Sequence, residues 1–425
     1  MRARAAIICL LIAAPAAAQT PDPENSASLL TLSIDPPRSI DTGADLTFAA
    51  TTALANLEIR GFARLKSNRR IGIPVRIAKT VLLDHPVALF MVVMQHEQYG
   101  HGGRAREFGA GARYQMGSPW TIDALFKGST RFGGGATWDA AKLSVDDLLR
   151  VYTGGVESNT RSATIIEREL VAGRQMTTLQ LLYFVRSRMY PSYYVLVNTP
   201  NPVTQPAEFY AESRGGDVAT YLGYLNTKYF GSTGVTPSGS SDSVVREYRR
   251  LRRHAWLSVA EPGIWLSLWS VGRQTFTGDE PASLTLPRLA GHRVLPIVTA
   301  DWFPDGGAIS VETVFSRTRD RVDGPRWFSL LVRQGNGPGG RFWHAGGATE
   351  MFAAWRGVRM GGELEVWKQP SSGAGAGAKI RATTTRGRVK GLFVDAGVKT
   401  AGHWPGRPAN AGLFFRVGYT FIGAH

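Results

Sequence analysis

The chain has 425 residues and a formal net charge of +16, with 49 Lys and Arg against 33 Asp and Glu. A single cysteine excludes a disulfide-stapled fold and a metal site built from several thiolates. Abundant glycine (49 residues) and 10% aromatic residues favour a β-rich membrane protein.

The first 18 residues have the order of a secretory signal peptide. Arg2 and Arg4 precede an apolar run over residues 5–14, and small residues follow at 16–18. This run is too short for a transmembrane helix. Cys9 lies inside it, so the mature chain is expected to have no thiol. We expect export to the outer membrane, with the periplasm as the alternative location.

The excess of positive charge predicts what an exported chain of this kind contacts. Basic surfaces bind anionic lipid, so the expected partner is a membrane lipid or lipopolysaccharide surface. The run REYRRLRRH, residues 246–254, is interpreted as a helix face near such lipid rather than a nucleic-acid patch. No nucleic acid is expected as a partner.

After an N-terminal extension over residues 19–44, residues 45–275 are predicted to form a helical domain. Apolar residues recur there at helical spacing. The predicted helical segments are 86–106, 164–171, 177–190, 217–230 and 243–269, the last containing the helix breaker Pro262. None of their apolar runs reaches the roughly 18 uninterrupted residues of a membrane-spanning helix.

Residues 285–425 are predicted to form an eight-stranded antiparallel β-barrel, so the fold class is α+β. Apolar and polar residues alternate there, most clearly over 411–421. The other predicted strands are 292–301, 309–316, 326–334, 341–353, 358–367, 375–384 and 392–399. Apolar side chains would face lipid and charged ones the interior, whereas a soluble β-sandwich is the alternative. The aromatic last strand resembles that of bacterial outer-membrane barrel proteins.

The stretch MVVMQHEQYGHGGRAREFG, residues 91–109, joins an apolar segment to His96, Glu97 and His101. Imidazoles and an adjacent carboxylate behind an apolar wall can bind zinc and activate a water molecule. HEQYGHGGRAREFG resembles the zincin signature, and most closely its site-2 protease version, HExGH. The resemblance implies a zinc cofactor, His96 and His101 as metal ligands and Glu97 as the general base.

The spacing of the two histidines departs from that signature by one residue. In a regular α-helix, Glu97 and His101 share a face and His96 points about 100° away. A π-bulge would restore His96 to that face. Two alternatives are that Gly100 ends the helix, so that His101 returns from a loop, and that Glu97 and His101 are themselves the ligands.

The third metal ligand has to come from elsewhere in the chain. Glu157 is the predicted ligand, because it follows Gly154 and Gly155 and precedes a helical segment. Asp217 has a similar setting after two glycines and is the second candidate.

Together these features predict an outer-membrane-associated zinc hydrolase that acts on a peptide or lipid-linked substrate. The alternative is a non-catalytic structural or binding barrel protein of the outer membrane, with a polar cluster or structural metal in place of a catalytic centre. A third is a lipid-modifying enzyme whose chemistry lies in the barrel.

Overall fold

The fold belongs to the α+β class predicted from the sequence. The structure is a computed structural model, and it describes residues 28–35, 38–62, 69–118, 134–317, 327–386 and 389–423. The signal peptide predicted over residues 1–18 lies outside these ranges. Helices occupy most of the chain up to Thr277, and a large antiparallel sheet follows.

Eight helices are found in the described ranges. Their bounds are α1, Ile40–Phe62; α2, residues 69–107; α3, Val145–Val171; α4, Thr178–Tyr193; α5, Pro206–Glu212; α6, Asp217–Phe230; α7, Asp242–Val259; and α8, Pro262–Thr277. Helices α4 and α6 confirm the predicted segments, and α7 and α8 are separated just before Pro262. Capping boxes at Ser144 and Thr177 fix the starts of α3 and α4.

Helix α2 is longer than predicted, since it begins at Arg69 rather than near Pro86. Two π-helical turns, Thr80–Asp84 and Gln95–His101, interrupt its α-helical segments. Pro86 follows the first of these turns, where its missing N–H is tolerated. Residues 72–107 are long and apolar enough to cross a membrane by length and composition alone, and half of that apolar stretch is buried inside the protein.

Helix α1 is not among the predicted helices, and its threonines account for the omission. Threonine is β-branched and has a low helix propensity. In α1 the hydroxyl groups of Thr47 and Thr51 donate to the carbonyl oxygens of Gly43 and Thr47, at 2.8 and 2.7 Å. These bonds satisfy the buried hydroxyls, so α1 can pack against α3.

Ten strands form one antiparallel sheet. Their bounds are β1, Ser28–Ile34; β6, Arg288–Leu289; β7, His292–Phe303; β8, Gly306–Arg317; β9, Phe328–Gly337; β10, Gly340–Trp355; β11, Val358–Gln369; β12, Gly373–Arg386; β13, Val389–Lys399; and β14, Gly412–Gly423. The order is β1-β14-β13-β12-β11-β10-β9-β8-β7-β6. Strands β2 and β3, Arg113–Met116 and Gly134–Thr137, form a separate hairpin, as do β4 and β5, Val235–Thr236 and Gly239–Ser240.

The predicted closed barrel of eight strands is wrong in its strand number and in its closure. The eight predicted strands are present as β7–β14, but β1 and β6 extend the sheet, and within the described residues these two edges do not pair with each other. Strand β1 comes from the predicted N-terminal extension and pairs with β14, with Thr31 opposite Thr420. At the other edge, the two-residue strand β6 pairs with the start of β7, and helices α3, α7 and α8 pack against β7.

The sheet directs apolar side chains outward and charged side chains inward. Leu413 and Phe415 of β14 are 73% and 60% exposed, whereas the adjacent Arg416 is buried. The same alternation exposes Val311, Leu330, Val332, Leu364, Ile380, Leu392, Val394 and Val398. A sheet that faces water normally has the opposite arrangement, and strands that face lipid have this one.

The inward-facing charges pair with helices α1 and α3. Arg168 of α3 donates to Glu312 of β8 at 2.8 Å, and Arg416 of β14 donates to Asp45 of α1 at 2.9 Å. Arg416 also bonds Asp395 at 2.6 Å. Because a buried charge without its partner is strongly destabilising, the pairs with Asp45 and Arg168 hold α1 and α3 in one position over the sheet.

Candidate metal centre

The second π-helical turn of α2 brings two predicted site residues together. In a π-helix the backbone bonds join residues five apart, and Gly102 N–H accordingly bonds Glu97 O. His96 and His101, also five apart, lie on one face with their Nε2 atoms 3.0 Å from each other. Of the three alternatives for this spacing, the structure therefore has the π-bulge. Both imidazoles are buried.

Asp217 completes a three-residue cluster with these histidines. It lies in the first turn of α6, and its carboxylate oxygens are 2.9 Å from His96 Nε2 and 3.2 Å from His101 Nε2. The three ligand atoms lie within 4.8 Å of one another. In a tetrahedral zinc site, bonds of about 2.0–2.1 Å place neighbouring ligand atoms roughly 3.3 Å apart. The dimensions of the cluster therefore fit one small divalent cation.

Hydrogen bonds from α3 orient both imidazoles. His101 Nδ1 lies 2.7 Å from the carbonyl oxygen of Val151 and donates to it, so that in the neutral imidazole the Nε2 lone pair faces His96 and Asp217. His96 Nδ1 lies 3.1 Å from the side-chain amide of Asn159, whose Oδ1 has no partner among the described residues. Rotation of this amide lets Oδ1 accept from His96 Nδ1, so that His96 Nε2 also presents a lone pair. Metal-binding histidines are usually oriented by such second bonds.

Three glycines allow α2 and α3 to approach closely at the cluster. A methyl group at Gly100 would lie 2.6 Å from the Cα atom of Gly155 and 2.7 Å from the carbonyl oxygen of Gly154. One at Gly155 would lie 2.5 Å from His96 Nε2 and 2.6 Å from His101 Nε2. The glycines thus leave the space that the two imidazoles occupy.

Replacing Gly155 by alanine is expected to weaken metal binding by about tenfold or more, because its methyl group displaces both imidazole rings. The helix itself should tolerate the change, since alanine is favoured over glycine in a helix by roughly 0.5–1 kcal/mol. Gly223→Ala in α6 is the control, because its methyl group lies 3.7 Å from its nearest neighbour, an ordinary contact. Titration with zinc measures both variants, and equal affinities would contradict the packing described.

Burial and charge act on the cluster in opposite directions. Burial lowers the pKa of His101, but the Asp217 carboxylate outweighs it and raises that pKa to about 9. Burial raises the pKa of Asp217, whereas His101 and His96 hold it well below its usual range. The metal-free cluster therefore contains a protonated His101 beside an ionised Asp217 at neutral pH.

Zinc binding is consequently expected to weaken about tenfold per pH unit between pH 8 and pH 6. The reason is that His101, with its raised pKa of about 9, carries a proton in this range that the metal must displace. Calorimetric titrations at pH 6, 7 and 8, in buffers with different ionisation enthalpies, measure the affinity and the proton released. An affinity that does not change with pH would contradict this assignment.

Aromatic side chains surround the cluster. Tyr194 stacks on the His96 ring with centroids 5.2 Å apart, and Trp138 lies 5.9 Å from the His101 ring. Burial raises the pKa of Tyr190 and of Tyr194. These phenols therefore stay neutral and give the centre a surround of low polarity, which strengthens its electrostatic interactions.

Glu97 lies beside the cluster without belonging to it. Its side chain is 6% exposed, and its charge helps to raise the pKa of His101 and of Tyr190. Within the described residues its carboxylate has no hydrogen-bond or ion-pair partner, in contrast to Asp217. A buried carboxylate whose charge acts on His101 is a candidate proton acceptor for chemistry at the cluster.

Glu157, the predicted third ligand, is not brought to the cluster. Helix α3 continues through Gly154 and Gly155, so Glu157 lies two residues beyond Gly155 and points about 200° away from the histidines. Its carboxylate instead accepts from Arg104 Nε at 3.3 Å and bonds the backbone N–H of Gly406. The second candidate, Asp217, occupies the place expected of Glu157.

Asn159 and the Val151 carbonyl are not among the predicted site residues. Asn159 is four residues after Gly155 and therefore lies on the same face of α3. Only the recognition that α3 is continuous across both glycines would have placed Asn159 there.

Searches against family models, curated proteins and solved structures found no match for the chain.

Proposed function

We propose that the protein is a metal-dependent hydrolase with its centre at His96, His101 and Asp217. The observation that carries this proposal is the convergence of two oriented imidazoles and one carboxylate on a space the size of one cation. The buried carboxylate of Glu97, next to His96 in the chain, acts on the charge of His101. Zinc is the first choice, since two histidines and one carboxylate are a common catalytic zinc ligand set. The same set also binds iron(II), so zinc is not the only metal to test.

The residues of the chain have distinct parts in this chemistry. A divalent metal held by His96, His101 and Asp217 would supply Lewis acidity to the substrate and to the attacking water. Glu97 accepts the proton of the attacking water and delivers it to the leaving group. Val151 and Asn159 orient the ligands, and the aromatic wall keeps bulk water away. The Asp217 side chain is 12% exposed, which puts solvent contact on the α6 side of the centre.

We further propose that the protein is exported and works at the outer membrane, with the periplasm as the alternative. The support is the signal-like start of the chain and the apolar outward face of the sheet. A membrane lipid or lipopolysaccharide surface would be the partner on that face. A peptide or a lipid-linked molecule is then the substrate class that a buried hydrolytic centre at a membrane would meet.

The proposal is tested by metal content and by activity together. Purified protein is loaded separately with zinc, manganese and iron(II), and the bound metal is measured beside His101→Ala and His85→Ala. His85 lies on the same helix but contacts Arg186 rather than the cluster, so its variant serves as the control. We expect near-stoichiometric zinc in wild type and in His85→Ala, little in His101→Ala, and zinc-dependent hydrolysis of peptide or lipid-linked substrates. No bound metal in the wild-type protein would refute the hydrolase.

A further inference from the structure

Helices α7 and α8 form a hairpin whose outer surface carries two kinds of exposed side chain. On α7 one exposed stripe runs from Asp242 at the start of the helix through Arg246, Arg249 and Arg253 to Trp256, and Leu257 is exposed beside it. The spacing of three or four residues along the stripe places it on a single helix face. On α8 four of the exposed residues are large and apolar, namely Trp265, Leu268, Trp269 and Phe276, and the polar residues Arg273 and Thr277 are exposed as well.

The arginines of this stripe are available to a ligand. Arg249, Arg252, Arg253 and Trp256 line a shallow, open depression of the surface. Arg252 is held against Tyr248, whose hydroxyl oxygen accepts from it at 3.1 Å. Arg249 and Arg253 have no carboxylate or hydrogen-bond partner in the described part of the chain. Guanidinium groups gathered without acids bind phosphate groups well, since their donors match phosphate oxygens.

The tryptophans of the hairpin are too exposed for a surface that meets only water. Trp269 is 75% exposed, Trp256 61% and Trp265 56%. The Trp265 indole is held at the turn of the hairpin by a 3.0 Å bond to the carbonyl oxygen of Val259. Tryptophan is typical of the zone between lipid headgroups and acyl chains, because its ring is apolar with one polar edge.

The surroundings of the hairpin also favour lipid. Helix α8 packs against β7, next to the short edge strand β6, so it adjoins the sheet whose outward face is apolar. Beside it, Arg76 of α2 donates to the carbonyl oxygens of Thr275 and Phe276, and α2 exposes Ile77 and Val81 there. An arginine-rich face joined to an exposed aromatic face is typical of helices that lie in a membrane interface.

We propose that the α7–α8 hairpin is a binding site for anionic phospholipid. Arg249, Arg252 and Arg253 bind the phosphate-bearing headgroups, and the indoles of Trp256, Trp265 and Trp269 insert among the upper acyl chains. This inference rests on the membrane placement proposed above and is independent of the metal centre. It specifies that the α7–α8 hairpin is the surface in contact with the membrane and that this surface prefers lipids with anionic headgroups.

The test compares the full-length protein with Arg249→Gln/Arg253→Gln in binding to vesicles of phosphatidylcholine, with and without phosphatidylglycerol. Each arginine near an anionic surface contributes about a fivefold factor in binding. The double variant should therefore lose roughly 25-fold in binding to anionic vesicles. Arg113→Gln/Arg214→Gln makes the same change in net charge at two exposed arginines outside the hairpin and should bind like wild type.

A second measurement concerns the tryptophans. Lipids brominated in the upper acyl chain should quench the fluorescence of bound wild-type protein, and Trp256→Ala/Trp269→Ala should lose most of that quenching. Inorganic phosphate at constant ionic strength is the competitor that separates a free-anion site from a lipid site. Binding of phosphate without binding of anionic vesicles would overturn the lipid assignment.

The remaining outcomes separate this inference from the one on which it rests. Equal binding of wild type to neutral and anionic vesicles, unchanged in the arginine variant, would overturn the anionic lipid site and leave the membrane placement standing. No binding to either vesicle would overturn both. Zinc content, measured in parallel, should be unchanged in every hairpin variant.

Discussion

Replacing Glu97 by glutamine is expected to abolish hydrolysis while the metal stays bound. Glutamine keeps the size of the side chain but cannot accept a proton, and the loss of general base catalysis costs about 10²–10⁴-fold in kcat. Because the three atoms that meet at the cluster belong to His96, His101 and Asp217, metal content should remain close to that of wild type. Steady-state kinetics together with metal analysis of the same sample measures both effects.

Glu107→Gln is the control for this experiment. It makes the same chemical change on the same helix, at a carboxylate that accepts from Arg104 Nη1 at 2.8 Å rather than lying beside the cluster. We expect it to retain activity. Full activity in Glu97→Gln would show that another group takes the proton, whereas joint loss of metal and activity would make Glu97 a ligand.

Replacing Asp217 by asparagine is expected to weaken zinc binding by about a hundredfold or more. Mutation of a residue that only hydrogen-bonds to a metal ligand costs about 10–100-fold in metal affinity. Asp217 is proposed as a ligand itself, so its loss should cost at least as much. Zinc at a hundred times its dissociation constant stabilises a folded protein by about 2.7 kcal/mol. The variant should therefore show almost none of the zinc-induced rise in Tm that wild type shows.

Two other acidic residues provide the comparison. Asp242→Asn changes an exposed acid in the first turn of α7, the position that Asp217 has in α6, and should bind zinc normally. Glu157→Gln should also keep zinc, although loss of its charge beside Arg104 is expected to lower the free energy of unfolding. If Glu157→Gln lost zinc and Asp217→Asn kept it, Glu157 would be the third ligand, as predicted from the sequence, and the assignment of Asp217 would be wrong.

The histidines could be predicted from the sequence because their chemistry is local. His96, Glu97 and His101 follow one another behind an apolar helix. The sequence leaves three arrangements open, which are a π-bulge, a helix that ends at Gly100, and Glu97 with His101 as the ligands. The π-turn itself could not be chosen from the sequence, because its selection depends on how α2 packs against Gly154 and Gly155 of α3. Tertiary contacts of this kind outweigh the small differences in local helix preference.

The choice of Glu157 as the third ligand differs from the structure for a related reason. From the sequence, Gly154 and Gly155 predict irregular backbone ahead of a helix, since each glycine costs roughly 1 kcal/mol in a helix interior. Burial against Gly100 of α2 keeps α3 helical across Gly154 and Gly155, and this continuity turns Glu157 away from the histidines. Asp217 reaches them because α6 starts at the residue predicted from its sequence, but that alone did not favour it over Glu157.

The eight predicted strands are all present, whereas the predicted closure of the sheet into a barrel is wrong. Alternation over β7–β14 fixes which side chains share a face, because successive residues of a strand point to opposite sides. Nothing in that alternation shows which strand lies at an edge. The pairing of β1 with β14 joins distant segments, and the packing of α7 and α8 on β7 involves helices that the strand pattern does not include.

The pairing of β1 with β14 also bears on how the protein can fold. Thr31 and Thr420 are 389 positions apart and bond through their hydroxyl groups, and Arg416 reaches back to Asp45. Contacts over such sequence separations raise the contact order, and a high contact order slows folding because a large loop must be closed before the contact can form. The first strand and the start of α1 therefore remain without their partners until β14 has been synthesised. Final assembly of the sheet is necessarily a late step, completed on the whole chain rather than segment by segment during synthesis.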